Sequence, residues 1–201
     1  MSSIGVLGGT FNPVHNGHLA IAGEVTRRLG IDEVWFMPAG HPWMKADEMV
    51  AAASHRVRML RLAIQGHPSF RVSTIEVERP GDTYTVETFE KLREIRGEGD
   101  ELYFIMSWGT LAQLPRWREP ERLIKLCRLI VVPRMGTPKP DLESLDAVIP
   151  GLAQCIILLD KPLVDISATD IRRRVARGEV ISQLVPPQVA QYIKENGLYR
   201  G

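Results

Sequence analysis

Cysteine is scarce, with two in 201 residues, Cys127 and Cys155. Each stands in an apolar run, and neither belongs to a CxxC or a Cys/His zinc spacing, so they read as buried structural thiols and not as a disulfide framework or metal site. An excess of one charge is also missing: 25 basic against 24 acidic side chains leave a formal net charge of +1. That balance excludes a broad electrostatic nucleic-acid surface, which needs many uncompensated cations, but leaves room for a pocket built from a few placed donors. No apolar run approaches the roughly 20 residues needed to cross a bilayer. The opening MSSIGVLGGTF has neither the basic n-region nor the long apolar h-region of a signal peptide. The expectation is a cytoplasmic protein without membrane contact, and the length suits one domain over 1–201. Both common phosphate fingerprints are absent, since no GKS or GKT follows a glycine loop and no GxGxxG occurs.

What is present is an alternation of apolar runs and helical periodicity. IGVLGG (4–9) is a short apolar run ending in a glycine pair. Leu19, Ala22, Val25 and Leu29 then recur on one helical face, closed by Gly30. EVWFMP (33–38) reads as a strand. A helix over about 50–65 carries Arg56, Arg58 and Arg61 on its polar face, and RVSTIEV (71–77) alternates as a strand. A helix over about 84–95 presents Val86, Phe89, Leu92 and Ile95. LYFIM (102–106) reads as a strand buried on both faces. Short helices around 110–114 and 119–126, a strand at 128–133, a loop over 136–150, a strand at 155–160, and helices at about 168–177 and 187–195 complete the chain. This pattern predicts an α/β fold with a doubly wound, mainly parallel sheet and a small C-terminal helical part over about 166–201. Ligands bind beyond the carboxyl ends of such strands, at the switch in strand order, which directs attention to loops 8–18, 38–46, 107–117 and 160–169.

Two segments in those loops carry chemistry. In GGTFNPVHNGHL (8–19), Gly8 and Gly9 permit a turn tight enough for backbone N–H groups to approach a phosphate. His15 and His18 follow, three apart at the opening of a helix, where both imidazoles come to one end beside its free N–H groups. Taken alone, the spacing equally fits Asn16 as a helix cap with solvated histidines. In ISATDIR (166–172), Ser167 with Asp170 satisfies a capping-box pattern. A helix start with hydroxyls at Ser167 and Thr169 and a cation at Arg172 suits an anion, although a plain surface helix with Arg172, Arg173, Arg174 and Arg177 on a basic face fits too.

Together the two segments resemble the (H/T)xGH and ISxTxxR signatures of the nucleotidyltransferase α/β phosphodiesterase superfamily, with Ile166, Ser167, Thr169 and Arg172 matching the second position for position. The whole chain is similar to the bacterial nicotinate mononucleotide adenylyltransferase family. The family's pieces occur in order: GGTFNPVHNGHL, a loop with Lys45 followed by Arg56, DTYTVET (82–88), YFIM then LAQLPRW, VVPR (131–134) and a terminal VAQYIKENGLY. The resemblance implies a Rossmann-like nucleotidyltransferase fold and transfer of the adenylyl group of ATP to nicotinate mononucleotide, with Mg2+ accompanying the ATP. It implies catalytic His15, His18 and Arg172; ATP and phosphate contacts from Gly8, Gly9, Thr10, Phe11, Arg134, Ser167 and Thr169; and pyridine-nucleotide contacts from Lys45, Tyr84, Thr85 and Trp117. Read from the residues alone, Trp117 fits core packing as well as stacking on a pyridine ring. One departure stands out: Ser107-Trp108-Gly109 occupies the place of the family's GxD element, so the carboxylate that helps hold nucleotide hydroxyls is missing. A different acceptor (nicotinamide mononucleotide or phosphopantetheine) and a non-catalytic nucleotide-binding homologue are the rival readings. Small molecules are the expected partners, and a homo-oligomer is compatible with the sequence.

Overall fold

The opening apolar run forms β1 (Ser3–Gly9), which turns Ile4 and Val6 to one face of a sheet and Leu7 to the other. The computed structural model describes residues 2–40, 50–97 and 99–200. Among them β1 pairs with β2 (Glu33–Pro38) and β4 (Glu101–Ser107); β2 pairs with β3 (Phe70–Val72), β4 with β5 (Arg128–Val132), and β5 with β6 (Ile156–Leu158). Every pair is parallel, and the order β3-β2-β1-β4-β5-β6 is that of a doubly wound, Rossmann-like sheet. The predicted fold class stands, with a sheet that is parallel throughout its described strands.

Two apolar layers sandwich the sheet. On one face pack α1 (Asn16–Leu29), α2 (Ala53–Ala63), α8 (Ala168–Ala176) and α9 (Pro187–Glu195), through Ala22, Val25, Met59, Leu60, Ile171, Val189 and Ile193. On the other pack α3 (Thr85–Arg96), α4 (Trp108–Leu111), α5 (Pro120–Leu126) and α7 (Leu152–Cys155), through Val86, Phe89, Leu92, Leu111, Leu123 and Leu152. β4 feeds both: Tyr103 and Ile105 enter the first layer, and Leu102, Phe104 and Met106 the second. A strand covered on both faces is apolar at every such position.

Among the differences from the sequence reading are two elements and two side chains. The strand expected over 71–77 is confined to Phe70–Val72, because the chain turns after Ser73, with Glu78 N–H bonded to the Thr74 carbonyl at 3.0 Å. The segment 136–150 contains α6 (Leu142–Val148), started by Asp141, whose carboxylate accepts the Ser144 N–H at 3.2 Å; none of its residues is fully buried, and only Leu142 and Leu145 lean on the second apolar layer, too brief a stripe to announce a helix. Ile95, expected on the inner face of α3, is 56% exposed. Arg56, expected on a solvated face, is 2% exposed, and its guanidinium donates to the carbonyls of Ala51, Thr10 and Gly40. Both cysteines are free thiols; burial of Cys127 pushes its pKa up. Among the described residues no helix is long and apolar enough to cross a membrane.

Candidate active site

Strand order reverses between β1 and β4, and a cavity of about 470 Å³ opens at their carboxyl ends. Gly8 and Gly9 end β1, Ser107 ends β4, and Pro133 and Arg134 follow β5, and all five line it. The loop after β1 is shaped by Phe11, a non-glycine residue at φ 49. Left-handed backbone there costs roughly 1–2 kcal/mol, which burial of the ring to 2% exposure offsets. Asn12–Pro13 and Lys161–Pro162 are cis.

His15 is the residue before α1, and His18 lies in its first turn. The His15 N–H donates to His18 Nδ1 at 3.2 Å, and the His18 N–H donates to the His15 carbonyl at 2.9 Å. The rings stack with centroids 3.7 Å apart, and the Phe11 ring meets His18 edge-on at 4.8 Å. Asn16 does not cap the helix; its side chain donates to the Gln183 carbonyl at 3.1 Å. Gly17 permits the close approach of the 160s loop, since a Cβ there would stand 2.3 Å from Val164 Cγ1.

Burial, followed by the nearby positive charge of Arg134, lowers the His15 pKa to about 4. Burial, then His15 and Arg134, hold His18 well below its ordinary value. Both imidazoles are therefore neutral at pH 7. Because His18 Nδ1 accepts a hydrogen bond, its proton sits on Nε2, leaving that N–H as the donor.

The second segment reaches the same cavity. Ile166, Ser167, Thr169 and Arg172 line it with His15 and His18, and Arg172 Nη1 donates to the Asn12 carbonyl at 2.9 Å. The capping-box reading of Ser167 needs correction: Ser167 precedes α8, but its side chain makes no capping bond, and Asp170 pairs instead with Arg174 at 2.7 Å. A neighbouring cation satisfies the carboxylate, leaving the serine hydroxyl at the cavity wall.

Thr85 begins α3, and Thr83, Thr88, Glu76 and Trp117 line the same cavity with it. Thr88 Oγ1 donates to Glu76 at 2.9 Å, and burial pushes the Glu76 carboxyl up. Trp117 leans on Phe104 with centroids 5.9 Å apart, so core packing and a cavity face coexist in one ring. Tyr84 is not among the lining residues; it precedes α3 with its ring beneath the Arg118 guanidinium, 4.5 Å away. The face of its ring meets that cation outside the cavity. Lys45 lies outside the described residues.

Where the family's carboxylate is missing, Ser107 and Thr110 present hydroxyls 3.0 Å apart at the cavity wall, and Trp108 packs into the second apolar layer. The sequence reading gave no binding role to these hydroxyls or to Asn12, Glu76, Thr83 and Thr88. Small polar residues carry no signal of their own, even inside a quoted segment such as DTYTVET. Among the described residues no group of three His, Cys, Asp or Glu side chains is placed to hold a metal ion.

The cytidylyltransferase-like family profile matches residues 6–174. A protein of Dehalococcoides mccartyi (strain CBDB1) named "Probable nicotinate-nucleotide adenylyltransferase" is 51% identical over 195 residues, covering 97% of this chain and 96% of its own. One of the same name from Roseiflexus sp. (strain RS-1) is 46% identical over 198 residues, covering 98% of each chain. The structure titled "Plasmodium falciparum nicotinic acid mononucleotide adenylyltransferase complexed with NaAD" superposes with a TM-score of 0.79 at 20% identity, over 99% of this chain and 98% of that one; at that identity the likeness speaks for the fold. With the two signature segments facing one cavity and relatives this similar over their whole length, the chain belongs to the cytidylyltransferase-like family and, within it, to the nicotinate-nucleotide adenylyltransferases.

Proposed function

We propose that the chain, acting as one nucleotidyltransferase domain, transfers the adenylyl group of ATP to nicotinate mononucleotide, giving deamido-NAD and pyrophosphate. One observation carries the reading. The histidine pair and Arg172, more than 150 residues apart in sequence, line one cavity at the strand-order switch, with Arg172 joined to the histidine loop through the Asn12 carbonyl. In the reaction a phosphate oxygen of the mononucleotide attacks the α-phosphorus of ATP, and the bond to the bridging oxygen of the β-phosphate breaks. The acceptor is already anionic, so no nucleophilic side chain is required, and the rate comes from positioning and from stabilising charge on the leaving pyrophosphate. His15, His18 and Arg172 do that work, with Arg134, Thr10, Ser167, Thr169, Phe11 and the Gly8–Gly9 backbone assisting. Mg2+ enters as part of the ATP substrate, held by phosphates and water, a manner of binding that needs no carboxylate cage.

The pyridine end is the lobe of Thr85 and Trp117, with Lys45 as a further contact. The free N–H groups opening α3 suit the ring carboxylate of nicotinate, and the indole offers a stacking face. Tyr84, which points its ring at Arg118, acts by shaping the start of α3. Pyrophosphate release with ATP and each mononucleotide in turn tests the reading: nicotinate mononucleotide should be turned over faster than nicotinamide mononucleotide. Faster turnover of nicotinamide mononucleotide or phosphopantetheine would reassign the acceptor, and no release with any would leave a nucleotide-binding homologue without activity.

A further inference from the structure

Tyr199 lies far from the signature segments in sequence, yet its hydroxyl donates to Asn12 Oδ1 at 2.8 Å, across 187 residues. The same oxygen accepts the Ala51 N–H at 3.1 Å. Asn12 is thereby gripped by its side chain, while its main-chain carbonyl accepts Arg172 Nη1 at 2.9 Å. Tyr199 is held in a left-handed conformation, φ 62, which a non-glycine residue keeps only where its surroundings enforce it. Its ring packs against the apolar layer that contains α2 and α9. Burial keeps the phenol protonated, and the charges of Arg172 and Arg56 both act on it. The hydroxyl is therefore a donor throughout the ordinary pH range, set between the loop after β1 and the arginine of the second signature.

We propose that Tyr199 is a positioning residue for the anion site: its hydroxyl fixes the Asn12 side chain, and through the Asn12 carbonyl it sets where the Arg172 guanidinium stands. This rests on the reading above that Arg172 receives the ATP polyphosphate. A tyrosine that merely anchored its own segment would affect stability, but its effect on nucleotide binding would not depend on Arg172.

The test is a double-mutant cycle on ATP binding, followed calorimetrically with Tyr199→Phe, Arg172→Ala and the pair, alongside pyrophosphate release with nicotinate mononucleotide. Tyr199→Phe should weaken ATP binding about five-fold in the parent, as expected for loss of one hydrogen bond, and less than about two-fold when Arg172 is already alanine. Asn12→Ala, a second route to the same break, should weaken binding similarly and make Tyr199→Phe nearly silent. Equal factors in both backgrounds, or no effect in the parent, would overturn the proposal. If the cycle behaves as expected but the parent releases no pyrophosphate, the acceptor assignment fails and the positioning role stands. If the parent binds no ATP, both fall.

Discussion

The imidazoles of His15 and His18 stack 3.7 Å apart and 28° from parallel, and burial with Arg134 nearby keeps both neutral. Two protonated rings at that distance would repel, so the pair offers N–H donors rather than resting charge. On the proposed mechanism, replacing His18 with Ala removes one donor to the leaving phosphates. Turnover should fall by about 10²–10³-fold, the usual cost of a lost charge-stabilising donor, with the far-ultraviolet dichroism of the parent. Near-parental turnover would refute the role.

The same neutrality ties stability to pH. The His15 pKa is about 4 in the folded chain against an ordinary 6.5, so below pH 6.5 the unfolded chain takes up the proton first. Stability present above that value is lost as pH falls toward 4. Urea unfolding of the parent and of His15→Asn at pH 7 and pH 4.5 should show a smaller acid loss in the variant, by on the order of 2 kcal/mol. Equal losses would show that His15 is not the group responsible.

Trp117 touches Phe104 on one side and the cavity on the other. Trp117→Ala should raise KM for nicotinate mononucleotide roughly 3–10-fold, in line with the worth of an aromatic stack, while KM for ATP changes little. An equal rise for both substrates would mean that the ring supports the cavity wall without meeting the pyridine.

At Gly17 an added Cβ would stand 2.3 Å from Val164 Cγ1 and 3.0 Å from His15 Nδ1. Gly17→Ala should lower stability by about 1–3 kcal/mol through overpacking, and adding Val164→Ala should recover part of the loss. A second substitution that only lowers the melting temperature further would locate the strain elsewhere.

The parts that could be read from the sequence are those written in local spacing. The strands at β1, β4 and β5 were announced by apolar runs, α1 by Leu19, Ala22, Val25 and Leu29, and the two signature segments by residues three apart. What could not be read depends on distant partners. Arg56 looks like any surface arginine until the carbonyls of Thr10 and Gly40 are brought around it. Asn12 and Tyr199 are separated by 187 residues. Ser167 and Asp170 fit a capping box, but Arg174, four residues on, takes the carboxylate, an outcome the four-residue pattern does not contain. α6 escaped notice because it is short and only Leu142 and Leu145 lean on the second apolar layer, a stripe too brief to show helical periodicity.

The uncharged histidine pair has one more consequence. An arriving anion is met at first by Arg134 and Arg172 alone among the groups described at that end of the cavity. The imidazoles add N–H donors without adding charge, so the positive charge at that end comes from two guanidiniums carried on separate segments, one after β5 and one in α8.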